Sequence, residues 1–204
     1  MAQTGAARIF VYMNNLLPAD GMAVLFPALF TPEESDGYFQ LLKENINWKQ
    51  EPVILFGKTV MQPRLTAWYG DEGKTYSYSG ITMQPLRWTE ELLAIKSKVE
   101  AAAGQDFNSA LLNFYRNGQD SMGWHRDNES SLGINPVIGS VSFGAERVFQ
   151  FRHYMNRSVK RAVLLTHGSL LIMGGETQHY WQHALPKTAR PIGARINITF
   201  RKIK

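Results

Sequence analysis

Cysteine is absent from the 204 residues, which excludes disulfides, zinc–thiolate sites and cysteine nucleophiles. A metal would have to be held by His, Asp or Glu. Long apolar runs are also missing. The longest, "GMAVLFPALF", is interrupted by Pro27 and cannot span a bilayer. The opening "MAQTGAARIF" has no apolar segment of secretory type. No repeat, low-complexity tract or Pro/Gly/Ser linker divides the chain. The expectation is a soluble, non-secreted monomer with no membrane partner, cytoplasmic in a bacterium or nuclear in a eukaryote. Residues 1–20 read as irregular and 21–204 as a single domain, long enough to bury a substantial core.

The net charge of +5 and pI of about 9.5 permit a nucleic-acid partner without requiring one. Seventeen glycines and nine prolines imply many turns and favour strands. "TPEESDGYFQLLKENI" opens like a helix. Thr31 can cap it, Pro32 suits its first position and Glu34 completes a capping box. A second helix is predicted from about Thr89 to Ala103, with Leu92, Ile95, Val99 and Ala102 on one face and Gly104 as the stop. After residue 106 come short β-rich segments: "SALLNFYR", "PVIGSVSFG", "RVFQFRH", "AVLLTHGSLLIMGG" and "RINITFR". The pattern predicts an α+β domain whose second half is a barrel or sandwich.

Polar residues inside those strands carry the chemistry. In "RINITFR", Arg195, Asn197, Thr199 and Arg201 share one parity and Ile196, Ile198 and Phe200 the other. An ordinary half-exposed strand would look the same. "NFY" repeats the theme with Asn113 and Tyr115, and "SMGWHRDNES" adds His125 and Asp127. Two histidines and a carboxylate make a facial triad that leaves positions of an octahedral iron open. The third ligand would be His153, His167, His179 or His183, and position alone does not choose between the last two. An anionic cosubstrate would need a forked cation, for which Arg195 or Arg201 is suited.

Taken together, "NFYRNGQDSMGWHRDNE", "VIGSVSFGAERVFQFRH", "HGSLLIM", "HALP" and "RINITFR" resemble the AlkB family of iron(II)- and 2-oxoglutarate-dependent nucleic-acid dealkylases. "PRLTAWYGDEGKTYSYSG" extends the resemblance toward the branch that repairs double-stranded DNA. The resemblance implies a double-stranded β-helix, or jelly roll, with N-terminal helices and a nucleotide-recognition hairpin region over about residues 50–85. It implies that His183 joins His125 and Asp127 on Fe(II), with His179 a structural neighbour. It implies that Arg195 pairs with the far carboxylate of 2-oxoglutarate, and that Asn113, Tyr115, Asn197 and Arg201 surround the cosubstrate.

The implied reaction uses O2 to convert 2-oxoglutarate to succinate and CO2 and releases the methyl carbon of an N-methylated base as formaldehyde. The base belongs to single- or double-stranded DNA, with RNA an alternative, and must first leave the helix. Tyr76 and Tyr78 match aromatic residues near that base, and Glu129 an acid facing its exocyclic amine. Asn128 stands where the branch commonly has a further acid. Phe56 would serve as an apolar wedge in the stack, with Lys58 and Arg64 as phosphate-binding cations. A protein-directed oxygenase and a non-enzymatic nucleic-acid-binding jelly roll are the rival readings.

Overall fold

The computed structural model describes residues 14–55, 57–73, 76–78 and 81–204, with backbone alone at 55, 76–78 and 81–83. The elements run β1 (Met22–Phe26), α1 (Pro32–Asn45), β2 (Pro52–Leu55), β3 (Lys58–Met61), β4 (Leu65–Gly70), β5 (Tyr76–Tyr78), β6 (Ile81–Met83) and α2 (Glu90–Ala103). There follow β7 (Ser109–Tyr115), β8 (Met122–His125), β9 (Ile138–Gly144), β10 (Arg147–His153), β11 (Lys160–Leu165), β12 (Ser169–Gly174), α3 (Thr177–Tyr180), β13 (Trp181–Leu185) and β14 (Arg195–Arg201).

Both long helices begin and end where the sequence dictates. Thr31 Oγ1 accepts from the Glu34 amide, and the Glu34 carboxylate accepts from the Thr31 amide at 2.8 Å, closing the capping box. Thr89 caps α2, and Gly104 closes it in the left-handed region at φ 58°.

Among the described residues antiparallel strands form two main sheets, with the hairpins β2–β3 and β5–β6 separate from them. The larger has the order β1-β12-β9-β14-β7-β4 and the smaller β11-β10-β13-β8. Helices α1 and α2 cover the outer face of the large sheet. Leu42, Leu92, Ile95 and Val99 pack there against Leu112, Val141, Phe143, Ile196, Ile198 and Phe200. Gly139 lets α2 approach closely, since a Cβ there would lie 2.8 Å from Val99 Cγ1. The inner face meets the small sheet. Ala23, Leu171 and Met173 pack there against Phe151, Leu165 and Trp181. Two facing antiparallel sheets with helices on one outer face make the expected jelly roll.

The segments expected after residue 106 supply six of the ten strands of the two larger sheets, while β8 and β13 are not among them. The structure adds β1 and β4 at the edges of the large sheet, both from the helical first half. Periodicity cannot tell so short an apolar run as "MAVLF" from a fragment of buried helix. Within the stretch expected to be irregular, residues 1–13 lie outside the described part. Residues 16–20 form bends held by Asn15, whose Oδ1 accepts from the amides of Leu17 and Ala23.

Candidate metal centre and cosubstrate cleft

Strand β8 ends on His125, directly opposite His183 of β13 in the small sheet. Both side chains point into the barrel, and their Nε2 atoms are 3.1 Å apart. Asp127 follows two residues later and completes the group. Its carboxylate oxygens lie 4.0 Å from His125 Nε2 and 3.9 Å from His183 Nε2. His125 Nδ1 is 2.9 Å from the Gly123 carbonyl, which can only accept, so Nδ1 carries the proton and Nε2 presents a lone pair. Phe149 stacks on the His183 ring at 5.4 Å between centroids and fixes its plane. The Asp127 amide donates to Gln178 Oε1 at 2.9 Å, and its carboxylate accepts from Arg201 Nη2 at 3.0 Å. Two converging imidazoles and one carboxylate are the donor set of a facial-triad iron site.

The electrostatics keep these groups in their metal-ready forms. Burial, reinforced by the neighbouring His125, lowers the His183 pKa to about 3. Burial also lowers that of His125, against the pull of Asp127. Burial alone would raise Asp127, but the charge of Arg201 and then the two imidazoles outweigh it and hold the carboxyl at about 2. A metal at neutral pH therefore meets two neutral imidazoles and a carboxylate, with no proton to displace.

This has a consequence for the metal-free protein. The unfolded chain protonates its histidines near 6.5, whereas the fold keeps His125 and His183 neutral. As pH falls through 6.5 the unfolded state binds more protons, so stability declines. Asp127 acts in the same direction at lower pH: its contribution is present above 3.8 and lost as pH falls to about 2. The melting temperature in chelator is expected to drop between pH 7 and 5, and to drop less in His183→Gln. Equal slopes for the two proteins would remove His183 as a source.

The inner face of the large sheet supplies the rest of the cleft. Tyr115 lies opposite Arg195, and Asn113 opposite Asn197, across β7 and β14. Arg195 Nη2 donates to Ser142 Oγ at 2.9 Å. Asn197 Nδ2 donates to Ser140 Oγ and to the Val141 carbonyl, and its Oδ1 accepts from Thr199. The cleft holds about 470 Å³, its open mouth included, and runs from the His–Asp–His group to Arg195. The two arginines of "RINITFR" separate here. Arg201 faces Asp127, whereas Arg195 has no carboxylate within ion-pair distance among the described residues. Burial lowers the Arg195 pKa to about 10, so it remains charged at neutral pH. Among the described residues four guanidiniums are buried (Arg64, Arg147, Arg195 and Arg201) against two carboxylates, Asp120 and Asp127. Asp120 is already held by both arms of Arg116. The interior is short of negative charge at the Arg195 end, which suits a dianionic 2-oxo acid.

The expectations for the substrate side fare differently. Arg64 requires correction: it is 4% exposed, and its Nε donates to Asn113 Oδ1 at 2.7 Å, so it is not a surface cation for phosphate. Lys58 is exposed at the start of β3. Glu129 is half-buried just before the short helical turn Ser130–Leu132. The backbone of Tyr76 and Tyr78 forms β5, but their side chains, and all of Phe56, lie outside the described residues. His179 is exposed on α3, while His153 faces Asp20 and His167 faces Asp36. Residues the sequence did not single out include Gln178, Phe149, Arg147, Ser140 and Ser142. Only the serines left a signal, by alternating with Val141 and Phe143.

The family model described as "2OG-Fe(II) oxygenase superfamily" matches residues 22–201. The alpha-ketoglutarate-dependent dioxygenase alkB homolog 3 of Homo sapiens is 42% identical over 206 residues, or 95% of this chain and 70% of that protein. Its Bos taurus counterpart is 44% identical over 191 residues, 88% of this chain and 65% of that protein. The DNA oxidative demethylase ALKBH2 of Homo sapiens is 41% identical over 195 residues, covering 91% and 75%. The chain thus spans about two-thirds of the length of the alkB homolog 3 proteins it matches. The solved structure of OsALKBH1 superposes with a TM-score of 0.65 at 16% identity, covering 93% of this chain and 99% of that one, which speaks for the fold alone.

Proposed function

We propose, for a chain that belongs to the 2OG-Fe(II) oxygenase superfamily and within it to the AlkB family, that it is a DNA-repair dioxygenase removing N-linked methyl groups from damaged bases. One observation carries the reading. A His–Asp–His group opens onto a cleft that ends in a buried guanidinium without a carboxylate. Bound iron(II) and 2-oxoglutarate supply the oxidation by O2, with succinate, CO2 and formaldehyde as products.

The chain's own residues do the rest. His125, Asp127 and His183 would hold the metal. Arg201 keeps Asp127 ionised, and Gln178 fixes the backbone that presents it. Arg195 holds the far carboxylate of the cosubstrate, with Ser142 locking the fork in place. Phe149, Met173 and Leu185 keep water from the inner wall. By the family resemblance, Glu129, Tyr76 and Tyr78 would receive the flipped base.

DNA as the substrate is supported by the name of the ALKBH2 relatives and by the β2–β3 hairpin, which stands outside both sheets. Ile54 there is 65% exposed and Met61 53%, on one face of the hairpin, and Lys58 is exposed on the other. Exposed apolar side chains on a hairpin that also carries a cation suit insertion into stacked bases. The direct test is mass spectrometry of oligonucleotides carrying 1-methyladenine or 3-methylcytosine, single-stranded, double-stranded and as RNA. Loss of one methyl group with stoichiometric succinate is expected on DNA, and turnover on RNA alone would replace the reading. Phe56→Ala is expected to lower the double- to single-strand rate ratio roughly tenfold, from ~1–3 kcal/mol for an aromatic–base stack. An unchanged ratio would deny the wedge.

A further inference from the structure

Arg147 is the fourth buried guanidinium, and no step above uses it. It opens β10 on the inner face of the small sheet and is 4% exposed. Across the barrel stand Tyr115, the last residue of β7, and Arg195, the first of β14. The Tyr115 ring is close to both cations, 5.9 Å from the Arg147 guanidinium carbon and 5.3 Å from that of Arg195. Arg147 donates only to backbone carbonyls among the described residues: Asn117 at 3.4 Å, Asp120 at 3.1 Å and Pro186 at 2.5 Å. Those carbonyls belong to two connections. One carries the chain from Tyr115 to His125, the other from His183 to Arg195. The same loops bond each other, Thr188 N–H to the Gly118 carbonyl at 2.9 Å. Arg147 therefore ties together the two loops that join the cosubstrate end of the cleft to the metal end, and adds a second positive charge near the Tyr115 ring.

We propose that Arg147 is a positioning residue that makes the cleft select a dicarboxylate over a monocarboxylate 2-oxo acid. It does so without touching the ligand, through the Tyr115 ring and the two loops. The inference rests on the reading that the cleft takes 2-oxoglutarate.

The test is calorimetric titration with Mn(II) in place of iron, so that binding is read without turnover. The ligands are 2-oxoglutarate and 2-oxobutyrate, which keeps the 2-oxo acid head but lacks the far carboxylate. In Arg147→Met, 2-oxoglutarate binding is expected to weaken about tenfold or more, as for other residues that support a ligand from behind, while 2-oxobutyrate changes less than about twofold. Arg147→Lys, which keeps the charge, is expected to recover most of the selectivity. Equal weakening of both ligands would mean that Arg147 only braces the loops, and unchanged 2-oxoglutarate affinity would give it no role; either result overturns the proposal. Should Arg147→Met not fold, Arg147→Lys decides: selectivity kept supports the proposal, selectivity lost overturns it. Failure of the unaltered protein to bind 2-oxoglutarate would instead bring down the underlying reading.

Discussion

His183→Ala is expected to reduce succinate formation to background, while His179→Ala turns over at close to the normal rate. The two residues are four apart in "QHYWQHALP", yet they occupy different environments. His183 is 2% exposed, its Nε2 faces His125 and Asp127, and its ring is held against Phe149. His179 is exposed on α3 and contributes its backbone carbonyl to Arg126. Removing one of three protein donors leaves a bidentate site too weak to retain a divalent metal in competition with water. Asp127→Ala should be equally inactive and less stable. It strips the carboxylate from buried Arg201, and breaking such a pair costs up to about 3–5 kcal/mol. A normal rate for His183→Ala with a dead His179→Ala would show the ligand assignment to be wrong.

Arg195→Ala is expected to weaken 2-oxoglutarate binding by ~100-fold or more, on the basis of about 3–5 kcal/mol for a buried carboxylate left without its partner. The residue is 2% exposed, so water cannot replace the lost guanidinium. Arg195→Lys should recover only part of the loss. An ammonium carries the charge but cannot present the planar fork that reaches both Ser142 and a carboxylate. Titration of 2-oxoglutarate into the Mn(II) protein reads this directly, and unchanged affinity would strike Arg195 from the site.

Much of this was legible in the sequence where local rules govern. The Thr31–Glu34 box and Gly104 act within a few residues, and the helix limits followed. The alternation in "RINITFR" also gave the correct sorting of side chains into two faces. It could not say what each face meets. Every residue of β14 is buried, because helices cover the apolar face and the second sheet encloses the polar one. A strand half in water has the same pattern. Arg64 illustrates the other limit. An arginine is exposed by default, and its partner Asn113 is 49 residues away. Nothing local announces such a bond. Gln178 and Arg147 escaped for the same reason, since their partners are backbone groups distant in sequence.

The place of β14 in the large sheet bears on how the protein is made. It lies between β9 and β7 and pairs with both along nearly its whole length. Ribosomal synthesis delivers β7 and β9 first. Until residues 195–201 emerge, the sheet is two pieces with facing open edges, and Asn113, Ser140 and Ser142 look into an unfinished barrel. Such edges invite pairing with other chains. The guanidinium proposed to receive the cosubstrate and the one that keeps Asp127 ionised arrive together on that strand. A nascent chain that has not yet paired β14 is therefore expected to be inactive and open to aggregation, with both changing when a single strand slots into the gap.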